Sequence, residues 1–158
     1  MSRAAIFALK RADLATRAVL DEALAAHGLT SAQLDILLYL DERGRSAQRD
    51  LQTALGVTSA TLTRILDGMV ARGFVERRAS DADARAKWID ITDEACALLL
   101  HLKDEAEPQF LARFTAGFTA DEMQTLTRWL TRLATNMGDT SQPIFGYGAT
   151  PAQEECER

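Results

Sequence analysis

Thr58, Ser59, Thr61, Thr63 and Arg64 gather four hydroxyls and a guanidinium into one short stretch of chain. Hydroxyls exchange hydrogen bonds with phosphate oxygens or base edges, and an arginine fork matches guanine O6 and N7 or a pair of phosphate oxygens. Ser46 lies ahead of this set. Arg77, Arg78 and Lys87 follow it and flank a polar turn containing Asp83 and a lone Arg85. Cations at this density suit a phosphate backbone or a groove, and the set as a whole reads as contacts to double-stranded DNA. The chemistry is recognition, not bond cleavage. With 2 His, no nucleophile–base pairing and no glycine-rich phosphate loop, the chain is not expected to be an enzyme or to hold a cofactor. Cys96 and Cys156 have no metal-like spacing, so neither a metal nor a disulfide is expected, and Cys96 reads as a core residue.

The elements that must position these groups can be read from periodicity. Leu62, Ile65, Leu66, Met69 and Val70 recur at helical spacing, which leaves Ser59, Thr61, Thr63 and Arg64 on other faces of a helix that starts after Thr58. Thr58 itself reads first as the N-cap. A short helix over about 47–54, opened by Ser46 and closed by Gly56, precedes it at the tight spacing of a helix-turn-helix. Thr30 and Gln33 form a capping-box pattern for a helix through Leu40. Two alternating stretches around the 83–85 turn read as a β-ribbon, completing a winged helix-turn-helix.

Outside this core the chain is helical. A first helix spans about 5–26 and stops at Gly28; after Thr92 a long apolar pattern carries Leu98, Leu99 and Leu102, and Pro108 should kink or divide it. Thr119 and Glu122 then open a last helix with Met123, Leu126, Trp129, Leu130 and Leu133 as its stripe. The fold class expected is mainly α with a small β-wing. Ile144, Phe145 and Tyr147 are the anchors expected in the tail. These terminal helices carry more apolar surface than the winged core can cover, which implies a homodimer with recognition helices roughly 34–36 Å apart.

Charge supports this division. Residues 43–90 carry a net +3 and the remainder −8, within a chain of net −5 and pI about 5.0. Positive charge collects where the DNA-reading elements fall. No apolar run approaches the roughly 20 residues that span a bilayer and no secretory leader is evident, so a cytoplasmic protein without a membrane partner is expected.

The ordered set Gly28–Leu29–Thr30 with Gln33, Leu55–Gly56–Val57, Thr63 to Asp67, Asp83 with Arg85, and Ile91–Thr92 resembles the MarR family of bacterial transcription regulators. One departure is Ala95, where the family often has glycine. The resemblance implies a single domain over 1–138, with a DNA-binding lobe at about 30–92, dimerisation helices at about 5–27 and 93–137, and a tail at 139–158. It also implies that Arg85 enters the minor groove, held by Asp83, and that the protein is a repressor of a pseudo-palindromic operator. Release by a small aromatic carboxylate or thioester is a habit of the family. Here Phe7, Arg17, His27, Gln33, Tyr39 and Phe110 are the groups that could line such a site, with Arg and protonated His favouring a carboxylate. Plainer roles stand beside these: Arg17 as a helix-surface ion pair, His27 and Arg72 as helix-end groups, Asp67 as a partner for a nearby arginine. The alternative function is a winged helix used for protein contact alone, which would show a neutral recognition helix and no wing arginine.

Overall fold

Threonine side chains start four of the helices. Thr30, Thr58, Thr92 and Thr119 each accept a hydrogen bond from the backbone amide three residues on, at 3.2–3.3 Å. Each satisfies one of the donors that a helix start leaves unpaired, typically worth about 1 kcal/mol. At Thr30 and Thr119 the reciprocal bond from Gln33 or Glu122 completes a capping box. The structure, a computed structural model, describes residues 2–79 and 87–139.

The helices are α1 (Ser2–Leu24), α2 (Ser31–Arg43), α3 (Gln48–Leu55), α4 (Ser59–Ala71), α5 (Asp93–Glu105), α6 (Glu107–Phe114) and α7 (Ala120–Asn136), with strands β1 (Ser46–Ala47), β2 (Val75–Ala79) and β3 (Lys87–Ile91). A 3-10 turn, Ala25–His27, ends the α1 arm sooner than the expected helix over 5–26, and Gly28 closes it at φ 65°. Pro108 does divide the long helical pattern: α6 starts afresh with the proline in its first turn, where a missing N–H costs nothing. The sheet has one strand more than the expected ribbon. Its order is β1–β3–β2, all antiparallel, with Ser46 opposite Ile89 and Arg77 opposite Ile89 from the other side.

The core lies entirely within the winged unit and its two flanking arms. Ile36, Leu37 and Leu40 of α2, Leu51 of α3, Leu62, Leu66 and Met69 of α4, Ile89 of β3 and Leu99 of α5 are sealed from solvent. Truncating any of the leucines to Ala should cost about 2–5 kcal/mol. Neither α6 nor α7 buries a residue. Instead Phe114, Phe118, Trp129, Leu130, Leu133 and Met137 stand exposed, as do Ile6, Phe7, Leu9 and Leu14 on α1. Among the described residues no helix is long and apolar enough to cross a membrane. Cys96 is buried on α5 as expected. The other cysteine, Cys156, and the expected tail anchors Ile144, Phe145 and Tyr147 lie outside the described residues.

One carboxylate is held at a cost. Burial pushes the Asp35 carboxyl up; Arg17 partly offsets this and Asp13 adds to it. A carboxyl raised in the folded state binds more protons there than when unfolded, so stability falls as pH rises from the ordinary carboxylate range through the raised value. Asp35→Asn is therefore expected to raise the melting temperature at pH 7, with the gain vanishing below about pH 4, the ordinary aspartate range. Thermal scans at both pH values check this, and an equal gain at both would remove the titration as its cause.

Candidate nucleic-acid interface

The N-terminal end of α4 projects a small, polar, open surface. Thr58, Ser59, Ala60 and Arg64 are exposed and Thr61 is half-buried, while Leu62, Leu66 and Met69 bury the opposite side. Arg64 makes no hydrogen bond or ion pair among the described residues. Its guanidinium is therefore available, one helical turn inward from the hydroxyls. The Thr58 and Thr61 hydroxyls lie 2.9 Å apart and hydrogen-bond each other. Thr63 turns inward, where its Oγ1 accepts from Gln48 Nε2 of α3 at 3.1 Å. That bond ties the two helices of the helix-turn-helix together at their polar edge.

The basic residues divide by what already holds them. Arg77 donates to Asp67 at 2.5 Å and to the Thr63 carbonyl at 3.4 Å, so it braces β2 against α4. This gives Asp67 the structural role expected for it. Arg78 bonds Glu76 at 3.0 Å and lies 3.9 Å from Asp90, which also accepts from Arg45 at 3.2 Å. These pairs are exposed and worth little each, so DNA phosphates could compete for Arg78 and Arg45. Lys87 is exposed at the start of β3. Ser46 does not join the surface: it is 6% exposed, paired in the sheet, and its hydroxyl donates to the Gly44 carbonyl at 2.9 Å. Asp83 and Arg85 lie outside the described residues.

The expected ligand set is not brought together. Phe7 is 68% exposed on α1, Arg17 pairs with Asp13 at 3.0 Å, and Gln33 is taken up by the Thr30 capping box. Tyr39 is half-buried against the core. His27 and Phe110 do meet, across a cavity of about 510 Å³ between the end of the α1 arm and α5–α6. Val19, Ala23, Leu102 and Ala106 give it apolar walls, and Glu22, His101, Glu105 and Arg113 supply its charge and hydrogen bonding. The His27 and His101 rings meet edge to face, with centroids 5.6 Å apart. His101 and Arg113 carried no signal in the sequence, since each is a single polar residue on an otherwise ordinary helix face.

A further group that sequence reading placed only at its own helix end is Arg72. It is the C-cap of α4, and its guanidinium donates to the carbonyls of Gly28 and His27 while stacking over the Phe74 ring at 5.0 Å. An arginine two residues before an aromatic was the available clue to the stacking. Nothing local marked the carbonyls.

A bihelical unit whose second helix has an exposed, polar start, backed by a three-stranded sheet, defines a winged helix-turn-helix fold. A family model described as MarR family matches residues 27–86. Over 115 residues the chain is 29% identical to the HTH-type transcriptional regulator YdgJ of Bacillus subtilis, covering 73% of this chain and 70% of that one. It is also 29% identical over 108 residues to the multiple antibiotic resistance protein MarR of Escherichia coli, covering 68% and 75% of the two chains. Its fold is similar to that of a cysteine-to-serine variant of E. coli MarR complexed with operator DNA, with a TM-score of 0.75, 26% identity, and coverage of 79% of this chain and 89% of that one. In sequence and in fold the chain is similar to MarR family transcriptional regulators.

Proposed function

We propose that the protein is a cytoplasmic, homodimeric repressor that places one α4 per protomer in successive major grooves of a pseudo-palindromic operator. The observation that carries this reading is the start of α4, where small residues and hydroxyls leave room for a duplex and Arg64 is exposed, with no partner among the described residues. Ser59 and Thr61 meet phosphate or base edges, and Arg64 forks onto a guanine. Arg78 and Lys87 contact the backbone, Arg77 acts by holding the sheet to α4, and Arg85, steadied by Asp83, enters the flanking minor groove. The exposed apolar faces of α1 and of α6–α7 support the dimer, because large apolar side chains repeated along one helix are what a partner copy would cover. The operator complex of the E. coli relative supports the docking mode. A small aromatic carboxylate, or its thioester, loosens the complex from the cavity beside His27, where apolar walls face the ring and Arg113 is the cation that meets the carboxylate in a lining that also holds Glu22 and Glu105.

Gel shift and footprinting on the DNA upstream of the protein's own gene test the central reading. Two protected patches about one helical turn apart are expected. No shift at low salt with correctly folded protein would overturn it. For the effector, hydroxybenzoic acids and their thioesters can be titrated with and without operator DNA. A tenfold release of DNA needs about 1.4 kcal/mol of preference for the free protein. Equal affinity for free and DNA-bound protein would remove the inducer role.

A further inference from the structure

The C-terminal end of the recognition helix is where the two arms of the protein meet. Arg72 closes α4 and reaches across to the last carbonyls of the α1 arm, those of His27 and Gly28. One residue on, the Gly73 carbonyl accepts from the Thr92 hydroxyl at 2.6 Å, and Thr92 is the N-cap of α5. Thus the end of the α1 arm and the start of α5 are both fastened to the same turn. The positive φ of Gly28, 65°, favours glycine at the turn whose carbonyl Arg72 meets. Phe74, 5% exposed, holds the guanidinium plane from beneath.

We propose that Arg72 is a positioning residue for DNA binding: it fixes the tilt of α4 relative to the α1 arm, and so the separation of the two recognition helices, without touching DNA. This rests on the dimeric DNA-binding reading above. N–H bonds from both arms of one planar fork to two successive carbonyls define an orientation as well as a distance, which a lysine point charge does not. Two helices that must enter grooves one turn apart are sensitive to that angle.

The test compares wild type with Arg72→Ala, Arg72→Lys and Arg72→Gln on three DNAs: the natural operator, the operator with its half-sites moved by one base pair, and unrelated duplex. A roughly tenfold or greater loss is expected on the natural operator for all three variants, with the spacing preference flattened and affinity for unrelated duplex unchanged. The slope of log affinity against log salt should stay at its wild-type value. A phosphate contact would instead lower that slope by about 1 and weaken all three DNAs alike, with Arg72→Lys largely spared. That pattern overturns the proposal, as does unchanged binding in every variant. Should Arg72→Ala not fold, the lysine and glutamine variants, whose stems can still lie over Phe74, carry the comparison; failure of all three to fold makes Arg72 a stability residue and overturns it too. Wild-type protein that binds no duplex removes the DNA-binding reading and the positioning role with it, whereas a binding wild type with unaltered variants removes the positioning role alone.

Discussion

Replacing Leu130 and Leu133 together by Glu is expected to leave the winged unit folded, convert the protein to a monomer, and lower operator affinity by roughly 100- to 10,000-fold, the range that linking two binding modules supplies. Both side chains are exposed on α7, in line with Trp129 and Met137, and none of these residues belongs to the core. Two carboxylates on each copy would face their counterparts across a two-fold axis, so the same change is introduced twice. Sedimentation velocity at micromolar concentration and fluorescence anisotropy with a labelled operator measure the two effects. A variant that stays dimeric would place the interface elsewhere, and a monomer with full affinity would show that two-fold binding contributes nothing.

Arg64→Ala should cost about 1–3 kcal/mol on the operator, roughly 5- to 150-fold, and relax selection at one base pair per half-site. Stability should hardly change, because the side chain is exposed and bonds nothing among the described residues. Thr58→Ala is the useful contrast. It removes the cap of α4 and should lower stability by about 1 kcal/mol as well as weakening DNA binding. Selection from a randomised operator library reads the first effect directly. If Arg64→Ala selects the same sequences as wild type, Arg64 is a phosphate contact and base discrimination lies with other residues.

Local chemistry was the part of the fold that sequence carried most clearly. Thr30 with Gln33, Thr58, and Thr119 with Glu122 each announce a helix start within a few residues, and Pro108 announces a break, because capping and proline geometry act over one helical turn. What depended on distant partners was not legible. Ser46 looked like one more exposed hydroxyl, yet a two-residue strand opposite Ile89 buries it, and two residues have no periodicity to read. Arg77 looked like a phosphate contact until Asp67 was seen beside it. Arg72 is 44 residues from Gly28, and the acceptors it finds are backbone carbonyls that every residue possesses. In the cavity, His27 and Phe110 were legible as polar and apolar groups flanking the winged unit, but His101 and Arg113 acquire meaning only when α5 and α6 fold back beside the α1 arm.

The hydrogen bond between the Thr58 and Thr61 hydroxyls can run in either direction. With Thr58 as donor, the Thr61 proton is free to point outward; with Thr61 as donor, its oxygen offers lone pairs instead. The backbone does not move between the two, since the Thr61 amide remains bonded to Thr58 Oγ1 in both. Turning the two hydroxyl rotors together therefore reverses the polarity that this end of the helix presents. Arg64, by comparison, can only donate. An operator read by this pair of neighbours should be permissive beneath Thr61 and strict beneath Arg64, so that its consensus contains a fixed letter beside a blurred one.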